Sequence, residues 1–507
     1  MASNNDSLMT KTAKATGWMV VWRAATRTLG LFSTLILVRF LAPGDFGLVA
    51  LGTGFAQAIE ALSIIGVDDA LIREKTLDSE LYNTAFTMNA IRNFGTAIII
   101  LAASIPVARF FNEPRLAHIL MALAVATAFQ AFENVGIIDF RRNLTFDMEL
   151  KLRLAPRLAG ILTTITLAII FHSYWALVSG ILVGKIAVVA MGYVLHSYRP
   201  RFTLSAWRRI IGFSVWTWFI TMAALIKDRS STFIIGRLLN PTMVGLFSVS
   251  IEIAILPYSE FVQPLCRACF STFAIAKHSN ENIAETYLRV IRSVTLITLP
   301  ASVGIALTAE PIVRIALGEK WMEAAPLIQI VVIGTLFAVF GSISSTLFSS
   351  HGLLSEMFRI QVATIILGVP LFAFMVAEYG LVIATLCSIS IGLLENGYYI
   401  VMTARKYHIP FRDMAATSIR PLIAAATMAV VVRALHMGHA TAADKPSELF
   451  LPLLATVAIG AAVYIATLTA SWTVAGRPDG AEKDFLAVAK SAYNRFAPRR
   501  VSLSVSR

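Results

Sequence analysis

Charged side chains inside apolar stretches are the residues of this sequence best suited to binding chemistry. Arg23 and Arg27 are four positions apart in the first apolar stretch, so a helix places both on one face. Lys227, Asp228 and Arg229 interrupt the seventh stretch. An ionised side chain at the centre of a membrane costs at least ~2.5 kcal/mol and is tolerated only where it faces protein or water. These residues therefore predict a polar cavity inside a helical bundle.

The excess of positive charge in these stretches suits an anionic ligand such as a phosphate or pyrophosphate group. The candidate substrate-binding residues are Arg23, Arg27, Arg92, Lys185, Lys227 and Arg229. The carboxylates predicted to pair with them or to carry a coupling ion are Glu60, Glu133, Asp228 and Glu252. The alternative at each position is a structural salt bridge, for example Arg23 or Arg27 with Glu60, which would leave no charge for a ligand.

The sequence lacks the motifs of an enzyme or a metal site. It contains no Walker-type phosphate loop, no H-E-x-x-H pattern and no soluble segment long enough for an ATPase domain. Cys266 and Cys269 have C-x-x-C spacing without a second cysteine pair, which favours small membrane residues over a metal site. We therefore expect no enzymatic activity and no cofactor. An H⁺ or Na⁺ gradient is a candidate energy source.

The composition is typical of a polytopic membrane protein, because 57% of the residues are apolar and only 14% are charged, against roughly 25% charged in soluble domains. Stretches near the ~20 residues that cross a membrane lie at about 15–41, 44–67, 85–107, 116–138, 154–172, 174–195, 210–236, 242–263, 286–308, 326–348, 358–377, 380–401, 418–437 and 448–470. The sequence thus predicts an all-α fold with about fourteen transmembrane helices.

The distribution of basic residues predicts the orientation. With a cytoplasmic N-terminus, 29 of the 43 Lys and Arg residues belong to the cytoplasmic side and seven to the opposite side. Such a bias follows the positive-inside rule and places both termini in the cytoplasm. The net charge of +13 is therefore a topology signal. We expect no nucleic-acid binding, because no recognition motif accompanies the charge.

The chain also repeats a short motif in the same direction. The repeated residues are Arg39, Pro43 and Gly47, which recur 198 positions later as Arg237, Pro241 and Gly245. Parallel repeats of helical bundles are common in secondary transporters, although chance similarity between apolar segments is the alternative. The predicted organisation is an N-lobe at 1–205, a C-lobe at 206–412, two further helices at 413–470 and a basic cytoplasmic tail at 471–507.

Both copies of the motif predict a tight turn at the outer face, because proline lacks the amide donor and restricts the residue before it. Arg39 and Arg237 come just before these turns, and we interpret them as interfacial anchors in preference to substrate contacts. A short amphipathic segment at 310–323 contains Trp321 and is predicted to lie at the membrane interface.

Several segments resemble a known family of transporters. They are the run LVRFLAPGDFGLVA at 37–50, YWALV at 174–178, YRP at 198–200, IGRLL at 235–239, and LGEKW at 317–321 with Pro326 and Leu327. Together they resemble bacterial polysaccharide transporters, the Wzx-like branch of the multidrug/oligosaccharidyl-lipid/polysaccharide flippase superfamily. The resemblance covers residues 15–400.

The resemblance implies two six-helix lobes and two C-terminal helices around a cleft that opens alternately to either side. The implied activity is to flip an undecaprenyl-pyrophosphate-linked repeat unit from the cytoplasmic to the periplasmic face of the bacterial inner membrane. This step serves exopolysaccharide, capsule or O-antigen synthesis. The implied partners are the lipid-linked oligosaccharide, membrane lipids, a polysaccharide polymerase and glycosyltransferases.

The sequence departs from this family in the seventh stretch. Many relatives carry an Asp-Asn pair shortly before the IGR motif, whereas this chain has Ser231 and Thr232, with Asp228 one turn earlier. Three alternatives stay open: a drug or metabolite antiporter of the same superfamily, a flippase for a peptidoglycan lipid precursor, and a non-transporting scaffold for polysaccharide assembly. The intramembrane cations argue against a scaffold and against an antiporter of cationic drugs.

Overall fold

The computed structural model describes residues 26, 28–63, 67–74, 78–143, 145–210, 215–279, 282–435 and 446–476. These residues form helices joined by short turns, without strands in the described ranges. Arg23 and Arg27 lie outside the described residues, as does the C-terminal tail beyond residue 476.

The described residues of the first half of the chain form ten helices of very different length. They are α1 (Thr28–Phe40), α2 (Pro43–Leu62), α3 (Val67–Arg73), α4 (Ser79–Phe110), α5 (Arg115–Gln130), α6 (Ile138–Arg142), α7 (Phe146–Phe171), α8 (Trp175–Leu195), α9 (Trp207–Ile210) and α10 (Val215–Leu238). A single 3₁₀ turn, Val135–Ile137, joins α5 to α6.

The second half continues the pattern of long apolar helices. They are α11 (Pro241–Ala254), α12 (Gln263–Ser279), α13 (Ile283–Leu307), α14 (Ala309–Ile312), α15 (Ala324–Ser350), α16 (Leu354–Lys406), α17 (Phe411–Ala434) and α18 (Pro446–Val474). Two π-helical segments, Tyr258–Val262 and Val313–Leu317, lie between α11 and α12 and after α14.

Eight helices in the described residues are long and apolar enough to cross a membrane, and the number rises to ten if two bent helix pairs each count as one span. The fold is therefore polytopic and all-α, as predicted, whereas the count of fourteen spans is not confirmed. α10 is not among the ten, and it carries three adjacent charged residues at 227–229. α16 contains two predicted spans in one run, with a break at Gly380, where φ is 76°.

Local sequence signals explain where several helices begin and end. Pro43, Pro241 and Pro446 stand at the first position of their helices, where the missing N–H costs nothing. The Asp78 carboxylate caps α4 by accepting a hydrogen bond of 2.8 Å from the Leu81 N–H. This bond, together with Arg209, holds the pKa of Asp78 below its usual range.

The described residues divide into two compact units. The first contains the chain up to Val249 together with residues 316–324 and 361–384, and the second contains the remaining residues. Both repeat motifs therefore belong to the first unit. The lobe boundaries at 205 and 412 stay predictions.

The core of the second unit forms around buried aromatic and aliphatic side chains. Phe273, Tyr287, Ile343 and Leu347 are all fully buried in one cluster. The Tyr287 hydroxyl lies 2.8 Å from the Ser344 hydroxyl, which satisfies both buried groups. In a second cluster of the same unit, α18 is tied to α13 by a hydrogen bond of 2.9 Å from the Tyr464 hydroxyl to the Leu296 carbonyl.

Trp321 packs inside the first unit, and the interfacial position of the amphipathic segment at 310–323 stays a prediction. The Trp321 side chain is fully buried, and its Nε1 donates a hydrogen bond of 3.0 Å to the Val38 carbonyl. The Phe46 ring packs edge-on against it, with the ring centroids 5.3 Å apart. An indole is buried readily where its N–H has an acceptor, and the unpaired carbonyls at the end of α1 supply one.

Candidate functional site

The two copies of the repeated motif pack directly against each other in the first unit. A Cβ on Gly47 would lie 1.7 Å from the Pro241 carbonyl oxygen, and a Cβ on Gly245 would lie 1.8 Å from the Pro43 carbonyl oxygen. The contact is reciprocal, because each glycine packs against the first turn of the other helix. Small residues allow the backbones of membrane helices to approach this closely. This contact joins the N-terminal ends of α2 and α11.

The arginines that precede these turns both have exposed side chains. The Arg237 guanidinium lies 5.3 Å from the centroid of the Phe110 ring, a cation–π arrangement. Arg39 Nη1 lies 3.3 Å from the position that a Cβ on Gly318 would occupy. These neighbours are compatible with the interpretation of both residues as anchors, which stays a prediction.

A charged pair links α2 and α8 within the first unit. Lys185 Nζ donates to Glu60 Oε1 at 2.8 Å, and the two side chains are 21% and 32% exposed. Thr127 of α5 donates to the same carboxylate oxygen at 3.0 Å. The carboxylate and the ammonium group therefore have partners that offset part of their desolvation. The predicted pairing of Glu60 with Arg23 or Arg27 falls on residues outside the described ranges.

The charged group of α10 faces α2. Arg229 Nη2 donates a hydrogen bond to Gln57 Oε1, and the Arg229 Cδ passes 3.9 Å from the position of a Cβ on Gly54. Lys227 is half-buried and Asp228 is exposed on the same helix. The neutral amide of Gln57 leaves the positive charge of Arg229 without neutralisation by this contact. An anion can therefore gain energy from it.

A polar cavity of about 380 Å³ is lined by residues of α3, α4, α6, α7 and α8 and of the segment 133–137. Three guanidinium groups, two carboxylates and two asparagines line it: Asn89, Arg92, Glu133, Asn134, Arg141, Glu149 and Arg153. The formal charge of this wall is therefore positive.

One carboxylate of the cavity accepts hydrogen bonds from two arginines. Arg141 Nε and Arg153 Nε donate to Glu149 Oε1 at 2.9 Å and 3.1 Å. Arg92 Nη2 donates to the neutral amide oxygen of Asn93 at 3.3 Å. The three guanidinium groups are thus oriented by neighbours that neutralise them only in part, which preserves their ability to bind an anion.

The structure brings the predicted site residues together in pairs. Glu60 meets Lys185, and both Arg92 and Glu133 line the cavity. Lys227, Asp228 and Arg229 stay together on α10, and Glu252 is half-buried on α11. Their proposed roles toward a substrate or an ion stay predictions.

Sequence reasoning missed most of the cavity wall, including four residues that bear on the binding of a ligand. Asn89 carries no charge, and Arg141, Glu149 and Arg153 belong to a segment whose cations were interpreted as topology signals. The spacing of Glu149 and Arg153, four residues apart on a helix, was the signal that could have found part of the cluster. Among the described residues no group of three His, Cys, Asp or Glu side chains could hold a metal ion.

Solved structures share this fold. The lipid II flippase MurJ in an inward closed conformation aligns with a TM-score of 0.68 over 90% of this chain and 99% of the other, at 15% identity. An inward-facing multidrug resistance MATE family transporter of the MOP superfamily aligns with a TM-score of 0.59 over 75% of this chain and 94% of the other, also at 15% identity. Identities this low establish the fold alone.

Curated relatives match most of the sequence. The succinoglycan biosynthesis transport protein ExoT of Rhizobium meliloti is 24% identical over 455 residues, which cover 88% of this chain and 90% of ExoT. The lipopolysaccharide biosynthesis protein WzxC of Escherichia coli is 22% identical over 67% of this chain and 70% of WzxC. A family model described as polysaccharide biosynthesis protein matches residues 36–326, more than half of the sequence. The chain therefore belongs to the polysaccharide biosynthesis protein family.

Proposed function

We propose that the protein is a flippase for a lipid-linked oligosaccharide in polysaccharide biosynthesis. The substrate is an undecaprenyl-pyrophosphate-linked repeat unit that moves from the cytoplasmic to the periplasmic face of the bacterial inner membrane. The observation that carries the proposal is that a chain of the polysaccharide biosynthesis family has the fold of a lipid flippase over 90% of its length. The similarity to ExoT, a succinoglycan biosynthesis transport protein, supports the same activity.

The physical task of such a protein is to carry a charged headgroup past hydrocarbon. A pyrophosphate cannot enter the membrane core without compensation, because an unpaired charge there costs several kcal/mol. In the proposal, Lys227 and Arg229 supply compensating charge together with Arg23 and Arg27. Arg229 is suited to this role because its described partner, Gln57, is neutral.

The carboxylates have a separate role in the proposal. Glu60, paired with Lys185 and Thr127, is the candidate group for coupling to H⁺ or Na⁺, with Glu133, Asp228 and Glu252 as further candidates. Binding of an ion at Glu60 would weaken its attraction for Lys185 and change the packing of α2 against α8. Alternating access then follows if α2 and α8 pack in two arrangements that bind the ion with different affinity.

The proposed topology has fourteen spans with both termini in the cytoplasm. The break at Gly380 supports the division of α16 into two spans, since its 53 residues exceed twice the ~20 residues of a single crossing. The proposed lobes are 1–205 and 206–412, followed by two helices at 413–470 and the basic tail. A polysaccharide polymerase and glycosyltransferases are the proposed partners in the membrane.

Removal of the gene from its host tests the function. We expect the surface polysaccharide to be lost and its lipid-linked repeat unit to accumulate with the sugar on the cytoplasmic face, with both changes reversed by the intact chain. A strain that still exposes the repeat unit in the periplasm while polymer is lost would support the scaffold alternative. Unchanged polymer with increased sensitivity to cationic drugs would support the antiporter.

A further inference from the structure

The cavity of the first unit has the size of a small-molecule site. Its volume of about 380 Å³ falls within the ~300–1,000 Å³ of typical ligand pockets. A repeat unit of several sugars is too large for it, whereas one sugar with its phosphate is of suitable size. All the described residues that line the cavity belong to the first unit.

The arginines of the wall offer donors that their protein partners leave available. Arg141 and Arg153 use Nε for Glu149, which leaves the terminal nitrogens of each fork for another acceptor. Arg92 contacts the neutral side chain of Asn93 in the described residues. Guanidinium forks bind phosphate oxygens through parallel charge-assisted hydrogen bonds. The wall therefore suits a phosphate group.

A buried asparagine in the wall indicates that the ligand also carries a hydrogen-bond donor. The Asn89 Oδ1 atom is buried and has no hydrogen-bond partner in the described residues. A buried amide oxygen without a partner costs about 1–3 kcal/mol and requires an explanation. The ionised oxygens of a phosphate ester cannot donate to it, whereas a sugar hydroxyl can. A ligand with a phosphate next to hydroxyl groups would satisfy both the arginines and Asn89.

The position of the cavity fits the proposed direction of transport. Its arginines at 141 and 153 belong to a basic segment that the charge distribution predicts to be cytoplasmic. Lipid-linked repeat units are loaded from that side in the proposed function. The basic segment also raises the local concentration of anions at the entrance.

We propose that this cavity is a recognition site for a glycosyl phosphate, with Arg92 and Arg153 on the phosphate and Asn89 on a sugar hydroxyl. It is distinct from the cations of α10, and it selects the sugar nearest to the phosphate before translocation. Selection of the sugar before translocation rests on the proposed function, whereas binding of a glycosyl phosphate in the cavity does not. The same chemistry is present in a free sugar phosphate and in the head of a lipid-linked sugar.

Calorimetric titration of the full-length protein in detergent tests the site with defined probes. Glucose 1-phosphate should bind, and inorganic phosphate should bind at least about ten-fold more weakly, because it lacks the sugar hydroxyls that would donate to Asn89. Arg92→Gln and Arg153→Gln should each lower the affinity for glucose 1-phosphate by about ten-fold or more. Arg405→Gln, which changes an exposed cation on α16, is the matched control and should bind as the unmodified protein does.

The Asn89→Leu variant distinguishes a role of Asn89 in sugar binding from a role in folding. The variant removes a buried oxygen without a partner, so the melting temperature should not fall. Affinity for glucose 1-phosphate should fall to that of inorganic phosphate. Equal affinity for the two probes in the unmodified protein would overturn the glycosyl assignment, and unchanged binding by both arginine variants would overturn the site.

Two competition experiments identify the source of the ligand. Displacement of glucose 1-phosphate by a short-chain polyprenyl pyrophosphate sugar supports the lipid-linked source, whereas glucose 1-phosphate that binds and is not displaced by this lipid supports a soluble ligand. Displacement of glucose 1-phosphate by phosphatidylglycerol vesicles but not by the polyprenyl pyrophosphate sugar would overturn the proposal in favour of a phospholipid. Because these experiments measure binding without transport, their failure leaves the flippase proposal untouched, and loss of flipping leaves the site untouched.

Discussion

Gly47 and Gly245 occupy equivalent positions of the repeated motif and face each other's helix. Each lies against the carbonyl of the proline that begins the other helix, and a Cβ on either would come within 1.8 Å of that oxygen. The repetition seen in the sequence thus corresponds to a reciprocal contact in the structure. Pro43 and Pro241 fix the helix starts that make this contact possible.

Gly47→Ala and Gly245→Ala should both destabilise the protein. The added methyl group meets backbone, which cannot move aside as a flexible side chain can, so we expect a loss of about 1–3 kcal/mol or more in each variant. Gly95→Ala is the matched control, because nothing lies within 4 Å of its Cβ position, and alanine favours a helix more than glycine does. Thermal unfolding in detergent measures all three, and equal melting temperatures would contradict the close contact.

Removal of Lys185 should expose the dependence of Glu60 on its partner. Lys185→Met leaves the carboxylate with Thr127 as its described donor. Since the two side chains are 21% and 32% exposed, we expect a loss of about 1–2 kcal/mol. The double variant with Glu60→Gln should recover most of this stability. If the double variant is as unstable as the sum of both single changes, the pair contributes nothing.

Transport by the same variants distinguishes pairing from coupling. A purely structural pair predicts that the double variant recovers flipping together with stability. The proposed coupling role predicts that it recovers stability while flipping no longer responds to an imposed ion gradient. The gradient dependence of flipping in vesicles is the measurement that separates the two.

Reporter fusions test the topology. The proposed arrangement places residues 205 and 410 in the cytoplasm and residue 443 on the opposite side, because the basic residues cluster in alternate loops. Fusions after each position should report those compartments. A cytoplasmic signal at 443 would eliminate the fourteen-span arrangement.

The sequence was sufficient to predict the features that depend on composition and on local backbone chemistry. Apolar stretches identified the all-α membrane fold, and the prolines and glycines of the repeated motif identified a tight turn. It could not predict which charges meet, because the partners Glu60 and Lys185 are 125 positions apart. The hydrogen bond of Trp321 could not be predicted for the same reason, since its acceptor at Val38 is distant along the chain.

The cavity shows a different limit of sequence reasoning. Arg141 and Arg153 have the composition of an ordinary cytoplasmic loop, and their charge was fully accounted for by the positive-inside rule. Only the fold reveals that they share Glu149 and surround a cavity with Arg92 of a separate helix. Arginine thus occurs both as a topology signal and as a ligand-binding residue. The helical spacing of residues in the sequence does not distinguish these two roles.

The cations of α10 should matter for transport more than for stability. Lys227→Ala and Arg229→Ala should each slow flipping by about ten-fold or more, because each removes a charge-assisted donor worth ~1.5–3 kcal/mol. Melting temperatures should stay close to that of the unmodified protein. Arg405→Ala on α16 controls for a general loss of positive charge. A parallel loss of stability and flipping would indicate a structural role instead.

Flipping in proteoliposomes shows directly whether the protein is a flippase. The purified protein would be reconstituted with a fluorescent oligosaccharide linked through pyrophosphate to a polyprenyl lipid, and the fraction that reaches the opposite leaflet would be measured by a membrane-impermeant quencher. The flippase proposal predicts rapid exchange that stops when the same sugar is attached to an uncharged lipid or when Lys227 and Arg229 are both replaced by alanine. No exchange above that of protein-free vesicles, in preparations that retain the native melting temperature, would contradict it.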